Sequence, residues 1–275
     1  MSARPRTAST FFLLVLLLSV PFWVLGAIVG EIPKEVLPID LPIGALMTFT
    51  PMIAALVLIY RRDGGAAVRG FLARAVDARR VNGVGWFVAA AALMPAAMAL
   101  EYFVLRAFGV ALPEPEISLA AIVPFFLMFL VGAVGEELGW QGYVFPILRE
   151  RWSALTASLI LGTIWSVWHI VPFVQAGRDG EWILWQCLMM LPLRVITVWL
   201  FVNAGESVFV AVLFHAMGNV AQFLFPVYGS HYDPFATFVI LSITATAIVM
   251  LWGAITLSRF PFGRGSGSRN AQRRG

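Results

Sequence analysis

Apolar stretches long enough to cross the roughly 30 Å hydrocarbon layer of a bilayer, which takes about 20 helical residues, recur along the whole chain. They fall at about 10–30, 41–60, 84–108, 117–138, 153–175, 183–203, 206–226 and 234–257. With 60% of its residues hydrophobic and 12% charged, the chain does not have the balance of a soluble globular domain. The expected fold is all-α: a polytopic membrane helical bundle of about eight transmembrane helices with a short amphipathic cytoplasmic helix.

The first apolar run follows Arg4 and Arg6, as the h-region of a signal peptide would, but its length favours an uncleaved first helix. No linker, repeat or low-complexity block divides the remaining spans. The expected organisation is a cytoplasmic tail over 1–9, a single membrane domain over 10–258 and a disordered basic tail over 259–275, ending GRGSGSRNAQRRG. The only cysteine, Cys187, lies within a span and reads as packing.

Arginines set the orientation. With eight spans, those at positions 4–6, 61–80, 149–151 and 259–274 share one side, and only Lys34 and Arg178 lie in loops on the other. The positive-inside rule then makes both termini cytoplasmic. A pI near 9.7 is therefore a sign of topology. No basic surface is interleaved with exposed aromatics, so nucleic acid is not an expected partner, whereas membrane lipids are. In VRGFLARAVDARR, Val68, Phe71, Leu72, Ala75 and Val76 share one helical face and Arg69, Arg74 and Arg80 point away, which predicts a helix lying flat on the inner leaflet.

An ionised side chain at a helix centre costs about 2.5–3.5 kcal/mol on insertion scales, so Glu136, Glu137 and Arg194 require reasons. His169, His215, Asn219 and Gln222 join them, with no other acid or imidazole counted in the apolar core. His215 and Asn219 are four apart in FHAMGN and project from one face, which Gln222 extends by a turn. Interhelical hydrogen bonding alone would suit the Asn and Gln. Two Glu and two His on three separate spans point instead to a shared site.

The stretches EELGWQ, WSVWH and HAMGN, in this order on separate spans, resemble the three motifs of the CAAX prenyl protease type II family. Its members are also called CPBP or Abi intramembrane proteases and include bacteriocin-immunity relatives. The motifs cover about residues 133–220, within a core of about 117–226. The resemblance implies an intramembrane endopeptidase acting on membrane-associated or lipidated, for example prenylated, peptides. It implies that Glu136 activates the hydrolytic water, that Glu137 supports the site and that His169 shares in polarising the water. His215 and Asn219 are implied to stabilise the oxyanion. Buried donors suit that task, and a carboxylate in an apolar pocket suits a general base.

The first motif of the family usually ends in Arg, where this chain has Gln141. At i,i+4 spacing Gln141 is expected to face Glu137 and offer it at best a neutral-to-charged hydrogen bond. Either the site tolerates this, or Arg194 supplies the charge from the sixth span, or proteolysis is lost and an immunity or scaffolding role kept. A transporter would show an internal repeat, and none is present. Glu136, His169 and His215 would also make a three-ligand zinc set, although the H-E-x-x-H spacing is absent. The resemblance favours a metal-independent glutamate mechanism, with a divalent metal such as zinc left open. At about 1.5 Å per residue His169 and His215 start some 24 and 14 Å into their spans. Tilt or a break near Gly132, Gly135, Gly139 and Gly142 must bring them level.

Overall fold

Inside a bilayer no water satisfies backbone N–H and C=O groups, so each long apolar run has to bond within itself. The computed structural model describes residues 7–33, 36, 38–39 and 41–258, which form helices joined by short connections. These are α1 (Ala8–Val29), α2 (Thr50–Leu72), α3 (Val84–Ala107), α4 (Leu119–Glu137), α5 (Phe145–Arg149), α6 (Ala154–Gln175), α7 (Gly180–Asn203), α8 (Val208–Leu224) and α9 (Pro234–Trp252). A 3-10 segment, Ile43–Phe49, leads into α2, and a π-helical segment, Leu138–Val144, joins α4 to α5. The chain is a multi-pass helical membrane protein. Arg4, Arg6, Lys34 and the basic tail at 259–275 lie outside the described residues.

Seven stretches among the described residues are long and apolar enough to span a membrane, and α8, the seventh of the eight expected, is a shorter apolar helix. Two spans exceed their expected bounds. The fourth does not stop at the Glu pair: it continues through the π segment and α5 as one helical run, Leu119–Arg149. The second runs on past residue 60 and breaks at Gly64, whose φ of 77° is a left-handed value that glycine adopts freely.

The segment expected to lie flat on lipid is instead partly roofed by protein. Beyond Leu72 it passes into 3-10 turns at Ala73–Val76 and Ala78–Arg80. Phe71 and Ala75 are buried, Phe71 lying edge-on to Tyr143 at 6.4 Å, and only Val76 of that face is strongly exposed. Arg74 does not point away, because its Nη1 donates to the Gly142 carbonyl at 2.8 Å. The buried Gly142 carbonyl in the π segment explains the difference, since the Arg74 cation satisfies it.

Alternating helix direction creates two ends. At one, Ser207 Oγ donates to Asp77 O (3.3 Å), Arg149 pairs with Glu206 (2.7 Å) and Asn203 Nδ2 donates to Leu257 O (2.7 Å). The opposite end holds the connections 30–42, 108–118, 176–179 and 225–233, tied by Glu116 N to Pro226 O (2.9 Å) and by Gln175 Nε2 to Trp23 O (2.7 Å). There Asp179 caps α7 through Trp182 N at 2.8 Å, and Asp233 caps α9 through Phe235 N at 2.8 Å.

Close approach between α4 and the 3-10 segment depends on glycine. A Cβ on Gly135 would lie 2.7 Å from Thr48 O, and one on Gly139 2.5 Å from the Pro51 backbone. The break anticipated near these glycines is the π segment after Glu137, and the small Gly135 lets the 3-10 segment bring Thr48 alongside Glu136.

Candidate active site

Glu136 and Glu137 end α4 side by side, and successive helical positions send them in different directions. Glu136 turns to a cavity of about 960 Å³ lined also by Thr48, Trp165, His169, His215 and Asn219. Glu137, 1% exposed, lies behind that wall. The two carboxylates therefore belong to different networks.

Glu136 accepts from Trp165 Nε1 at 2.6 Å on Oε2 and from Thr48 Oγ1 at 3.0 Å on Oε1. His169 Nδ1 lies 2.8 Å from the Trp165 carbonyl, which only accepts, so this nitrogen is assigned the proton. In the neutral ring Nε2 then carries the lone pair, and it lies 3.9 Å from Glu136 Oε1. A water at about 2.8 Å from both would subtend an angle of about 90°, within what its two O–H groups can serve.

Glu137 accepts from Arg194 Nη1 at 3.1 and 2.8 Å and from His215 Nδ1 at 2.8 Å. Arg194 is fully buried, and its guanidinium carbon lies 4.2 Å from the Trp165 ring centroid. The ring face gives the cation a second partner where Nε and Nη2 have no acceptor. Trp165 serves both networks through its face, its N–H and its carbonyl. Its ring also lies edge-on to His215 at 5.6 Å, and Trp168 lies edge-on to His169 at 4.7 Å.

Gln141 makes no hydrogen bond to Glu137. Its amide is fully buried and neither Oε1 nor Nε2 has a partner. The π segment is the physical reason, because it begins at Leu138 and widens the turn, so position i+4 no longer lies above position i. Of the sequence alternatives for Glu137, the structure contains the contact from Arg194 on α7. Asn219 and Gln222 follow His215 along α8 and line the same cavity.

Two neighbours of Glu136 escape sequence reasoning. Trp165 sits in the WSVWH stretch, so a signal existed in the motif, but an indole in a membrane helix reads as packing. Thr48 lies in an apolar run with nothing to single it out. A third group, Glu101, is an acid inside the third span and corrects the count of core acids. It accepts from Asp233 N (3.2 Å) and from the Thr237 hydroxyl, while Tyr232 OH donates to Gln186 Oε1 at 2.8 Å. This cluster fastens the 225–233 connection to the cavity rim, and burial holds the Tyr232 phenol above its usual range.

Among the described residues no three His, Cys, Asp or Glu converge as a metal-binding group. His215 Nδ1 faces Glu137 and His169 Nδ1 a backbone carbonyl, which leaves Nε2 as the free ring nitrogen of each.

Residues 118–221 match the family model described as Type II CAAX prenyl endopeptidase Rce1-like. A CAAX prenyl protease 2 of Methanococcus maripaludis is 26% identical over 186 residues, covering 62% of this chain and 68% of that protein. The matched stretch contains Glu136, Glu137, Trp165, His169, Arg194, His215 and Asn219, and across it the chain is similar to the Rce1-like type II CAAX prenyl endopeptidases.

Proposed function

We propose that the protein is an intramembrane endopeptidase in which Glu136 activates water, without a metal, to cleave membrane-associated or lipidated peptides, prenylated ones included. The observation that carries this is the placement of Glu136 Oε1 and His169 Nε2, two acceptors 3.9 Å apart in one cavity. A water between them gives one proton to Glu136 as its oxygen adds to the scissile carbonyl, while His169 Nε2 holds the other O–H. The oxyanion then faces His215 and Asn219. His215 donates from Nε2 only when its ring carries a second proton, and Glu137, accepting from Nδ1, is the counter-ion of that form. Collapse of the tetrahedral intermediate breaks the C–N bond. Glu136 returns its proton to the leaving amine, leaving a carboxylic acid and an amine.

The Gln141 substitution suggested a non-catalytic relative, but Glu137 has Arg194 at 2.8 Å, so that argument loses its premise. The test uses purified protein and an apolar fluorogenic peptide in detergent. Glu136→Gln keeps shape and removes the base, and it should abolish hydrolysis with an unchanged melting temperature. Asn219→Ala should lower kcat by about 100-fold, as loss of one oxyanion donor does. Full activity of Glu136→Gln would sink the proposal.

A further inference from the structure

The lining of the cavity reaches only one end of the bundle. There it is lined by Ile32, Pro38, Ile39, Leu41, Pro42 and Ile43 before α2, Arg178 after α6, and Val227, Tyr228, Gly229, Ser230 and Tyr232 after α8. None of its lining residues comes from 61–83, 149–153 or 203–207. At that opposite end the interior is filled by Trp140, Phe145, Phe201 and Leu257, all fully buried.

The two ends also differ in charge. The closed end carries six arginines between Arg61 and Arg80, with Arg149 and Arg151 nearby. The open end has Arg106 and Arg178 among its described residues, outnumbered by acids at Glu31, Glu114, Glu116, Asp179, Glu181 and Asp233. Short connections within about 15–20 residues of span ends are where Lys and Arg decide orientation, and the 73–83 connection is of that kind. The arginine-rich end is therefore the cytoplasmic one.

From these two asymmetries we infer that the catalytic cavity opens to the non-cytoplasmic side. Its substrates are then polypeptides anchored in the outer leaflet or presented from that side, and not peptides confined to the cytoplasmic leaflet. The cavity wall supports an apolar occupant: Met47, Met128, Met189 and Met190 are flexible thioether side chains that repack around an irregular apolar segment. This substrate assignment rests on the hydrolytic reading above, whereas the sidedness does not.

The test places single cysteines at the two ends of the full chain in a Cys187→Ala background. Ser230 and Glu181 are exposed at the open end and Ala66 is exposed at the closed end. In intact cells a membrane-impermeant maleimide should label Ser230→Cys and Glu181→Cys, with Ala66→Cys labelled only after permeabilisation. Labelling of Ala66→Cys in intact cells, alone or with the others, overturns the inference, as does failure of both open-end positions to label before permeabilisation. Hydrolysis in detergent is scored separately, so active protein with reversed labelling rejects the sidedness and keeps the chemistry. Proteoliposomes of the labelled orientation add a second arm. Anchored peptide supplied to the Ser230 side should be cleaved, and cleavage only from the Ala66 side overturns the substrate assignment.

Discussion

Replacing Gln141 by methionine should stabilise the protein. Both polar atoms of the Gln141 amide are buried without a partner, in a residue with no exposed surface. An unsatisfied buried amide costs about 1–3 kcal/mol, and methionine removes that cost at similar length and flexibility. Helix propensity is nearly the same for the two residues, so the backbone adds little to the difference. A gain of about 1–3 kcal/mol should raise the midpoint of thermal unfolding in detergent by roughly 2–12 °C, taking about 2–4 °C per kcal/mol for a chain of this size. Gln141→Arg should move the other way, because Glu137 is already held by Arg194 and His215 and a second cation would enter a closed site. The expected order is Met above Gln above Arg. If Arg proves the most stable, Gln141 reaches Glu137 after all and the phase shift assigned to the π segment is wrong.

Arg194→Met should cost about 3–5 kcal/mol by leaving Glu137 charged and buried, and adding Glu137→Gln should recover part of it. Equal unfolding midpoints for the single and double variants would contradict that coupling. Trp165→Phe keeps a ring beneath Arg194 but deletes the N–H to Glu136. A charged hydrogen bond of about 1.5–3 kcal/mol predicts a kcat lower by about 10- to 100-fold in steady-state assays, with folding little changed. Gly139→Ala should destabilise by about 1–3 kcal/mol, because its Cβ would lie 2.5 Å from the Pro51 backbone. Gly142→Ala meets only side chains, the nearest at 3.4 Å, and should be tolerated; thermal denaturation of the pair checks the contrast. Activity should survive exhaustive dialysis against a chelator, and a loss restored by zinc would refute the metal-free reading.

Hydropathy made the spans legible because the bilayer leaves the backbone so few solutions, and helical periodicity put His215 beside Asn219. The same periodicity failed at Gln141, since a π turn depends on what packs around it and leaves no mark in residue spacing. Arg194 stood out as a buried cation, yet its partner lies 57 positions away, and only the tertiary fold brings the two side chains together. Thr48 was invisible for another reason. A hydroxyl in an apolar run carries no charge to flag it, and its role comes from two glycines that admit the 3-10 segment to α4. Glu101 was legible as an acid within a span, but its partners, a backbone N–H and a hydroxyl near α9, belong to a connection that hydropathy does not locate.

The contact between the 3-10 segment and α4 bears on how this active site could be moved or trimmed. Thr48 lies outside residues 118–221, yet it supplies one of the two hydrogen bonds that hold Glu136. A chimera carrying only the matched stretch would inherit all the motifs but lose that donor, along with the surface that keeps the Glu136 side chain in one rotamer. Grafting into a relative should therefore succeed only when the Ile43–Phe49 segment travels with α4, with Gly135 and Gly139 kept as glycine. The transplantable unit is a pair of interlocked segments far apart in sequence, not the run of motifs by which the family is recognised.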